Sequence, residues 1–135
     1  MALSLAHEVV VATDKDGNSK YQGPSPDEIT LVEAAKDMRY EFVQASQSTT
    51  QLKIEGETTS FELLESFSFT SDRKRMSVVV RDSKGTIKMY SKGADNIIKQ
   101  RLARNQHIHI DQELDSFARI GLRTLLIAMR VISPQ

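Results

Sequence analysis

The sequence predicts an α+β fold, in which helices flank a mainly antiparallel sheet. Three observations support this class: a capped helix start at Ser25, short extended segments over residues 40–91, and two helical stretches near residues 93–104 and 111–120. A final strand is predicted over residues 122–132. We expect residues 1–135 to form a single domain, because a chain of this length can bury roughly two thirds of its unfolded surface around one core.

The first long helix is predicted to begin in the segment Ser25-Pro26-Asp27-Glu28. Serine is a preferred N-cap, proline favours the first helical position, and a glutamate three residues after the cap closes a capping box. The helix is predicted to run to about Met38, because apolar residues recur near helical spacing on one face. These residues are Ile29, Val32, Ala35 and Met38.

The segments on either side of this helix differ in how clearly they can be assigned. Residues 3–12 are apolar enough to be buried, but periodicity leaves open whether they form a helix running into a strand. Asp14–Asn18 is predicted to be a turn, followed by a short strand around Tyr21. After the helix, five strands are predicted, the last two joined by a hairpin at residues 82–85: Tyr40–Val43, Gln51–Glu55, Thr59–Phe69, Met76–Arg81 and Thr86–Ser91.

The composition excludes several functional classes. Eighteen basic residues balance eighteen acidic ones, so no overall field draws the chain to nucleic acid or to an anionic membrane. The chain has no cysteine, which excludes disulfides, thiolate zinc sites and thiol nucleophiles. No apolar stretch approaches the ~18 residues that a membrane span needs, and the first residues do not resemble a signal peptide.

Self-contained catalytic motifs are missing from the sequence. Neither the P-loop pattern nor G-x-G-x-x-G occurs, which excludes Walker-type and Rossmann enzymes. The segment at residues 14–19 resembles the start of a calcium loop, but its glycine is misplaced, so a plain turn is favoured. His107 and His109 lack a third ligand at a suitable spacing, so solvated loop histidines are favoured over a metal site.

Four short segments combine aromatic or charged side chains with flexible backbone: SPDE at 25–28, FTSDRKRMS at 69–77, KGAD at 92–95 and GLRTL at 121–125. Each has a structural explanation by itself. Glu28 can cap a helix, Phe69 can pack in a core, and Gly93 can start a helix. The basic residues at 73–75 can form a solvated turn. The informative observation is that all four segments occur together in this order.

In this order the four segments resemble the nucleotide-binding (N) domain of P-type ATPases. The PDE and KGAD forms are similar to the type-IV branch, the phospholipid-transporting ATPases or lipid flippases. The resemblance extends from about Ala6 to Ala128. It implies an α+β nucleotide-binding fold and a set of nucleotide-binding residues, which are Glu28, Phe69, Lys74, Met76, Lys92, Gly93, Ala94 and Arg123.

The chemistry of these residues suits the roles that the resemblance implies. Phe69 would stack on adenine, Lys92 would lie beside the purine, and Glu28 would accept a hydrogen bond from the exocyclic amine. Gly93 and Ala94 would let the nucleotide approach the backbone, while Lys74 would line the pocket and Arg123 would contact phosphate oxygens. One stacking contact and two or three charged contacts predict an affinity on the order of millimolar for the isolated domain.

The resemblance also implies that this domain performs part of a larger reaction. The domain would hold ATP and present its γ-phosphate to an aspartate in a separate phosphorylation domain. The family's phosphorylated Asp-Lys-Thr-Gly motif is absent from this sequence. We therefore assign no catalytic or metal-binding residue here, and expect that aspartate and the protein ligands of Mg²⁺ elsewhere in a full-length enzyme. The chain alone should bind ATP without turnover.

The expected partners follow from the same resemblance. They are ATP and the phosphorylation and actuator domains of the full-length protein, on the cytosolic side of a membrane. We expect a monomeric domain that contacts neither nucleic acid nor the membrane directly.

A rival interpretation is an interaction module without nucleotide binding, or a weak nucleic-acid binder that uses the Arg73-Lys74-Arg75 turn. Zero net charge and an aromatic content of 6% argue against the nucleic-acid version. Salt dependence distinguishes the two kinds of site, because binding to a phosphate backbone weakens steeply as salt rises.

Overall fold

The computed structural model describes residues 1–106 and 109–132 and confirms the α+β class. The helices are α1 (Ala2–Leu5), α2 (Pro26–Asp37), α3 (Asp95–Lys99) and α4 (Ile110–Arg119). The strands are β1 (Val10–Thr13), β2 (Ser19–Gln22), β3 (Tyr40–Ala45), β4 (Thr49–Ile54), β5 (Glu57–Phe67), β6 (Arg75–Arg81), β7 (Ile87–Gly93) and β8 (Leu126–Ile132). Over the described ranges, no helix has both the length and the apolar character needed to cross a bilayer.

Six strands form one antiparallel sheet in chain order, with β3 at one edge and β8 at the other. Each of these six strands pairs antiparallel with its sequence neighbour in the sheet, which confirms the predicted, mainly antiparallel sheet. Strands β1 and β2 form a separate antiparallel pair. Helices α3 and α4 lie in the connection between β7 and β8, so the chain leaves the sheet once before its last strand.

The core combines side chains of the sheet with side chains of α1, α2 and the segment between α1 and β1. Val78 and Val80 alternate along β6 and are each 2% exposed, as expected for one buried face of a strand. On α2, Val32 and Ala35 are buried, which confirms the predicted apolar stripe. Met38 does not continue that stripe, because it lies past the end of the helix and is 60% exposed.

The segment 3–12 is a helix followed by a strand, separated by four residues that do not belong to either element. Two of these four, Ala6 and Val9, are only 2% exposed and pack in the core. Ala6 and Val9 therefore anchor the connector between α1 and β1 in the core, on either side of His7 and Glu8.

Helix α3 is shorter than the predicted stretch from residue 93 to residue 104. At its start, Gly93 still belongs to β7, where it pairs with Arg75 of β6. At its end, Arg101 N–H donates to Ile98 O, which replaces the α-helical spacing by a tighter turn. The prediction of a longer helix was wrong because Gly93 stays paired in the sheet and the chain after Lys99 forms a tighter turn.

Helix α4 matches the predicted stretch 111–120 within one residue at each end. It is amphipathic, but no residue of this helix is fully buried. Its apolar side chains Leu114 and Phe117 line a cavity of about 570 Å³ that also includes Leu122 and Ile127. The last strand begins at Leu126 rather than Leu122, so the GLRTL segment is a loop beside this cavity.

Candidate functional site

A second cavity of about 540 Å³ lies where the start of α2, the loop after β5 and the end of β7 come together. Five of the eight predicted site residues line it: Glu28, Phe69, Lys92, Gly93 and Ala94. The other lining residues are Glu8, Pro24, Ser25, Asp27, Leu31 and Leu125. All four sequence segments therefore contribute to one cavity. Three of them supply the predicted residues, and the GLRTL segment supplies Leu125.

Glu28 is held by the start of α2 and reaches across the cavity. Ser25 is the N-cap, and its Oγ accepts a hydrogen bond of 3.2 Å from the Glu28 N–H, as predicted. The reciprocal half of the capping box is missing among the described residues, because the Glu28 carboxylate accepts bonds from Lys92 Nζ at 3.3 Å and from the Glu8 N–H at 3.2 Å. A buried charged donor displaces the weaker bond to the cap.

Lys92 reaches the same cavity from the end of β7, where its neighbours across the sheet are Met76 and Ile127. The residue is 8% exposed. Burial lowers the pKa of its ammonium group, while the carboxylates of Glu28 and Glu8 act in the opposite direction. The site therefore contains a poorly hydrated cation with one carboxylate partner in contact.

His7 lies behind this ion pair. Its Nδ1 accepts a hydrogen bond of 3.0 Å from the Val9 N–H, which leaves Nε2 as the donor to Ser4 O at 2.9 Å. The ring packs edge-on against Phe42, with centroids 4.5 Å apart. Burial lowers the pKa of His7 to about 4, and the nearby charge of Lys92 also lowers it. The imidazole is therefore neutral at physiological pH.

Phe69 stands at the cavity mouth in the loop of residues 68–74, here called the aromatic loop. Strand β5 ends at Phe67, two residues earlier than predicted, so Phe69 is not a strand residue and not a core residue. Its side chain is 61% exposed. The loop keeps its shape through Arg73, whose Nη1 donates to Ser68 O at 2.8 Å and to Phe67 O at 3.1 Å. An aromatic face is thus presented to solvent beside the Lys92–Glu28 pair.

Gly93 lines the cavity, but the close approach at this position comes from the neighbouring strand. A Cβ atom here would lie 2.4 Å from Lys74 O and 2.7 Å from Arg75 Cα, both distances that real Cβ atoms do not show. Ala94 N–H donates to the same Lys74 carbonyl at 3.1 Å. The glycine therefore lets the end of β7 pack against the end of the aromatic loop.

The remaining three predicted residues do not line this cavity. Met76 is 3% exposed and packs in the core, so the geometry supports a packing role for it. Lys74 has an exposed side chain and a positive φ of 51° at the end of the aromatic loop. Arg123 lines the other cavity and has a side chain that is 85% exposed, but its Nη2 donates to Asp27 Oδ1 at 2.8 Å. That contact places it at the rim.

Sequence reasoning missed Glu8 and Asp27 as residues of the site. Asp27 lies within the SPDE segment, and its negative charge next to Glu28 could have indicated that it belongs to the same site. Glu8 interrupts an otherwise apolar run beside His7. A charged residue inside a buried segment could have indicated a side chain that faces a cavity. Both side chains add negative charge to a wall that already carries Glu28.

The basic turn at 73–75 does not present three free cations. Arg73 donates to backbone carbonyls, as described above, and its guanidinium lies 5.5 Å from the ring centroid of Phe67. Arg75 Nη1 donates to Arg73 O at 3.0 Å. Two of the three basic side chains therefore stabilise the loop itself, which argues against a phosphate-backbone surface at this position.

The described residues contain no group of three or more His, Asp or Glu side chains arranged to hold a metal ion. His109 is exposed and lines the cavity beside α4. His107, the other histidine weighed as a ligand, lies outside the described residues.

Comparison with known proteins identifies the family. A match to the family described as P-type ATPase, cytoplasmic domain N, covers residues 2–135. The chain is 42% identical to a phospholipid-transporting ATPase of Schizosaccharomyces pombe over 98% of its length, and 40% identical to phospholipid-transporting ATPase DRS2 of Saccharomyces cerevisiae over 97%. Phospholipid-transporting ATPase IC of Xenopus tropicalis is 41% identical, also over 97%.

These alignments cover 11%, 10% and 11% of the three relatives, so the chain spans about a tenth of the length of the proteins that it matches. The family match extends over nearly every residue, and the relatives have phospholipid-transporting ATPase in their names. The fold, the order of the four segments and these matches agree. The chain belongs to the P-type ATPase cytoplasmic N-domain family, and its relatives named above are phospholipid-transporting members.

Proposed function

We propose that this chain binds ATP in the 540 Å³ cavity and positions the γ-phosphate for transfer to an aspartate elsewhere in a phospholipid-translocating P-type ATPase. The observation that carries the proposal is the pairing of an exposed aromatic ring, Phe69, with a buried cation and carboxylate, Lys92 and Glu28, on the walls of one cavity. An aromatic face with few polar groups at fixed positions is the usual composition of a site for a small planar ligand.

The base end of ATP suits the part of the cavity between Phe69 and the Lys92–Glu28 pair. Adenine stacked on Phe69 would gain about 1–3 kcal/mol, as bases do on aromatic side chains in other sites. The Glu28 carboxylate can accept a hydrogen bond from the exocyclic amine, and Lys92 can donate to a ring nitrogen. Both groups are already held by each other, so binding requires little rearrangement of the site.

The phosphate end suits the rim of the cavity. The carboxylates of Glu8, Asp27 and Glu28 line its wall and would repel a triphosphate placed deep inside. Arg123 lies at the rim beside Asp27 and can offer a planar guanidinium to phosphate oxygens. The phosphates would then extend away from the domain, toward an acceptor aspartate that another domain supplies.

The Mg²⁺ that accompanies ATP would be held by the phosphates and by protein ligands outside this chain. This domain would therefore supply binding and orientation, while phosphoryl transfer requires the remaining domains. We place the domain on the cytosolic side of the membrane in the intact enzyme. The binding energy left after the loss of translational freedom corresponds to an affinity on the order of millimolar for the isolated chain.

A proton–nitrogen NMR titration tests the proposal, with ATP, AMP and GTP added to several millimolar. Saturable shifts are expected at Glu28, Phe69 and Lys92, stronger for adenine nucleotides than for GTP. Phe69→Ala should weaken ATP binding about tenfold or more, because the stacking contact is lost. Phe117→Ala is the matched control, since Phe117 is 41% exposed but lines the other cavity.

The outcomes separate the proposal from its rival. A folded chain that shows no saturable shift with any nucleotide is an interaction module and not an ATP site. Shifts that cluster at Phe117 and Leu122 would move the binding site to the cavity beside α4. Shifts at the basic turn that vanish steeply with salt would favour a nucleic-acid binder.

A further inference from the structure

The carboxylate of Glu8 lines the cavity and accepts a hydrogen bond from Ser68 Oγ, which belongs to the residue immediately before Phe69. Glu8 and Ser68 are separated by 60 positions in the chain, and both Glu8 and Phe69, the residue after Ser68, line the cavity. We propose that Glu8 is a positioning residue of the nucleotide site, which fixes the aromatic loop across the cavity mouth so that Phe69 faces the purine. This inference rests on the proposed function.

The backbone of Glu8 is held in place from three directions. Its own N–H donates to Glu28 Oε1 at 3.2 Å, which ties it to the start of α2. On one side His7 is bonded to Ser4 O, and on the other side Val9 is buried in the core. Because the backbone of Glu8 is fixed, its carboxylate is an anchored acceptor, and the entropic cost of the bond falls on the two side chains and on the aromatic loop that it holds.

Internal hydrogen bonds hold the shape of the aromatic loop, the Ala94 N–H bond to Lys74 O holds its far end, and the Glu8–Ser68 contact holds the end that carries Phe69. Arg73 binds the carbonyls of Phe67 and Ser68, and Arg73 N–H donates to Thr70 Oγ1 at 3.1 Å. These bonds fix the shape of the loop. Among the described residues, the Glu8–Ser68 bond is the one hydrogen bond that joins residues 68–74 to the wall formed by α1, α2 and their connections.

The contact is better suited to orienting Phe69 than to stabilising the fold. Glu8 is exposed, and a hydrogen bond at an exposed site adds little net stability. Phe69 is also exposed and packs too little to fix its own ring. Stacking depends on the position of the ring plane, so a small displacement of the loop reduces nucleotide affinity without unfolding the domain.

A double-mutant cycle on the 135-residue chain tests the inference, with ATP affinity measured by NMR titration. Glu8→Ala and Ser68→Ala should each weaken ATP binding about three- to tenfold, and the double variant should lose no more than Glu8→Ala alone, because both remove the same contact. Glu8→Gln should stay within about twofold of the wild type, since its amide oxygen still accepts from Ser68. Glu57→Ala, an exposed glutamate at the start of β5, should leave the affinity unchanged.

Two further readouts separate positioning from a merely structural role. The unfolding midpoint of Glu8→Ala should match that of the wild type, while the backbone amides of residues 68–74 should gain mobility in nitrogen relaxation measurements even without nucleotide. Rescue by Glu8→Gln should restore both the affinity and the relaxation pattern.

The results distinguish this inference from the proposed function. If Phe69→Ala loses ATP binding but Glu8→Ala retains it, the site stands and the positioning role is overturned. Independent, multiplicative losses in the double variant would also overturn it. If the wild-type chain does not bind ATP, the proposed function falls, and unchanged relaxation of residues 68–74 in Glu8→Ala would overturn the tether as well.

Discussion

Lys92 Nζ lies 3.3 Å from Glu28 Oε1, and the two side chains are only 10% and 13% exposed. The pair joins the end of β7 to the start of α2 across 64 residues of sequence. A charge at such a site is tolerated because its partner is present, so removal of one member leaves the other poorly solvated and unpaired. The same pair therefore contributes to stability and to the proposed recognition of adenine.

Glu28→Ala is expected to lower the free energy of unfolding by about 2–4 kcal/mol, because Lys92 would keep its buried position without a countercharge. Glu28→Gln should cost less, since its side-chain oxygen can still accept from Lys92 and from the Glu8 N–H. Urea denaturation at pH 7 measures both values. Glu33→Ala, at an exposed position on the same helix, is the control; an equal loss in Glu28→Ala and Glu33→Ala would contradict the argument.

Gly93→Ala is expected to destabilise the domain by about 2–3 kcal/mol, because the new Cβ would collide with backbone atoms of Lys74 and Arg75 that cannot move aside cheaply. Gly56→Ala provides the comparison: Gly56 has a φ of 92° but open space around it, so this change tests conformational strain alone, about 1 kcal/mol. Urea denaturation of both variants decides the point. A smaller loss of stability in Gly93→Ala than in Gly56→Ala would show that β6 and β7 can move apart at this point at little cost.

The fold could be predicted where its signals are local. The cap at Ser25 and the proline after it determine where α2 begins, and the structure has the helix there. The antiparallel strands follow from short extended segments joined by turns. By contrast, the length of α3 could not be predicted, because a pairing with Arg75 keeps Gly93 in the sheet and that contact is remote in sequence.

The candidate site could be predicted only in part, for the same reason. The family resemblance carried by the order of the four segments implied Glu28, Phe69 and Lys92, and these residues line one cavity. The partners of the Glu28 carboxylate could not be inferred, because a capping box is a local alternative and Lys92 is 64 residues away. Met76 belongs to the same motif as the aromatic loop, but it faces the core because strand residues alternate between the two faces of the sheet.

Asp27→Asn is expected to raise ATP affinity by about two- to threefold, because the Arg123 guanidinium would no longer be shared with a carboxylate. The gain should be smaller for AMP and absent for adenosine, which lacks the phosphates that Arg123 would contact. Arg123→Ala should weaken ATP binding and leave adenosine binding unchanged. NMR titrations with the three ligands measure these differences, and Asp37→Asn, an exposed aspartate at the other end of α2, is the control. Equal effects on ATP and adenosine would exclude Arg123 as a phosphate contact.

We expect the folded domain to lose stability in mild acid because His7 is buried. Burial lowers the pKa of His7 to about 4 in the folded chain, against about 6.5 in the unfolded chain. Between these values the unfolded state binds more protons, so stability is full above about pH 6.5 and falls as the pH approaches 4. The shift corresponds to roughly 3 kcal/mol. The carboxyl groups of Asp14 and Asp82 also have lowered pKa values, and their contributions are lost at lower pH than this window.

The variant His7→Asn isolates this effect, because its side-chain oxygen can keep the bond from the Val9 N–H but cannot be protonated in this range. The free energy of unfolding, measured in urea from pH 7 to pH 4, should fall less steeply in His7→Asn than in the wild type. His109→Asn changes an exposed histidine and should keep the wild-type slope. If His7→Asn and the wild type lose stability in parallel, protons bind elsewhere and the neutral imidazole behind Lys92 does not control the acid response.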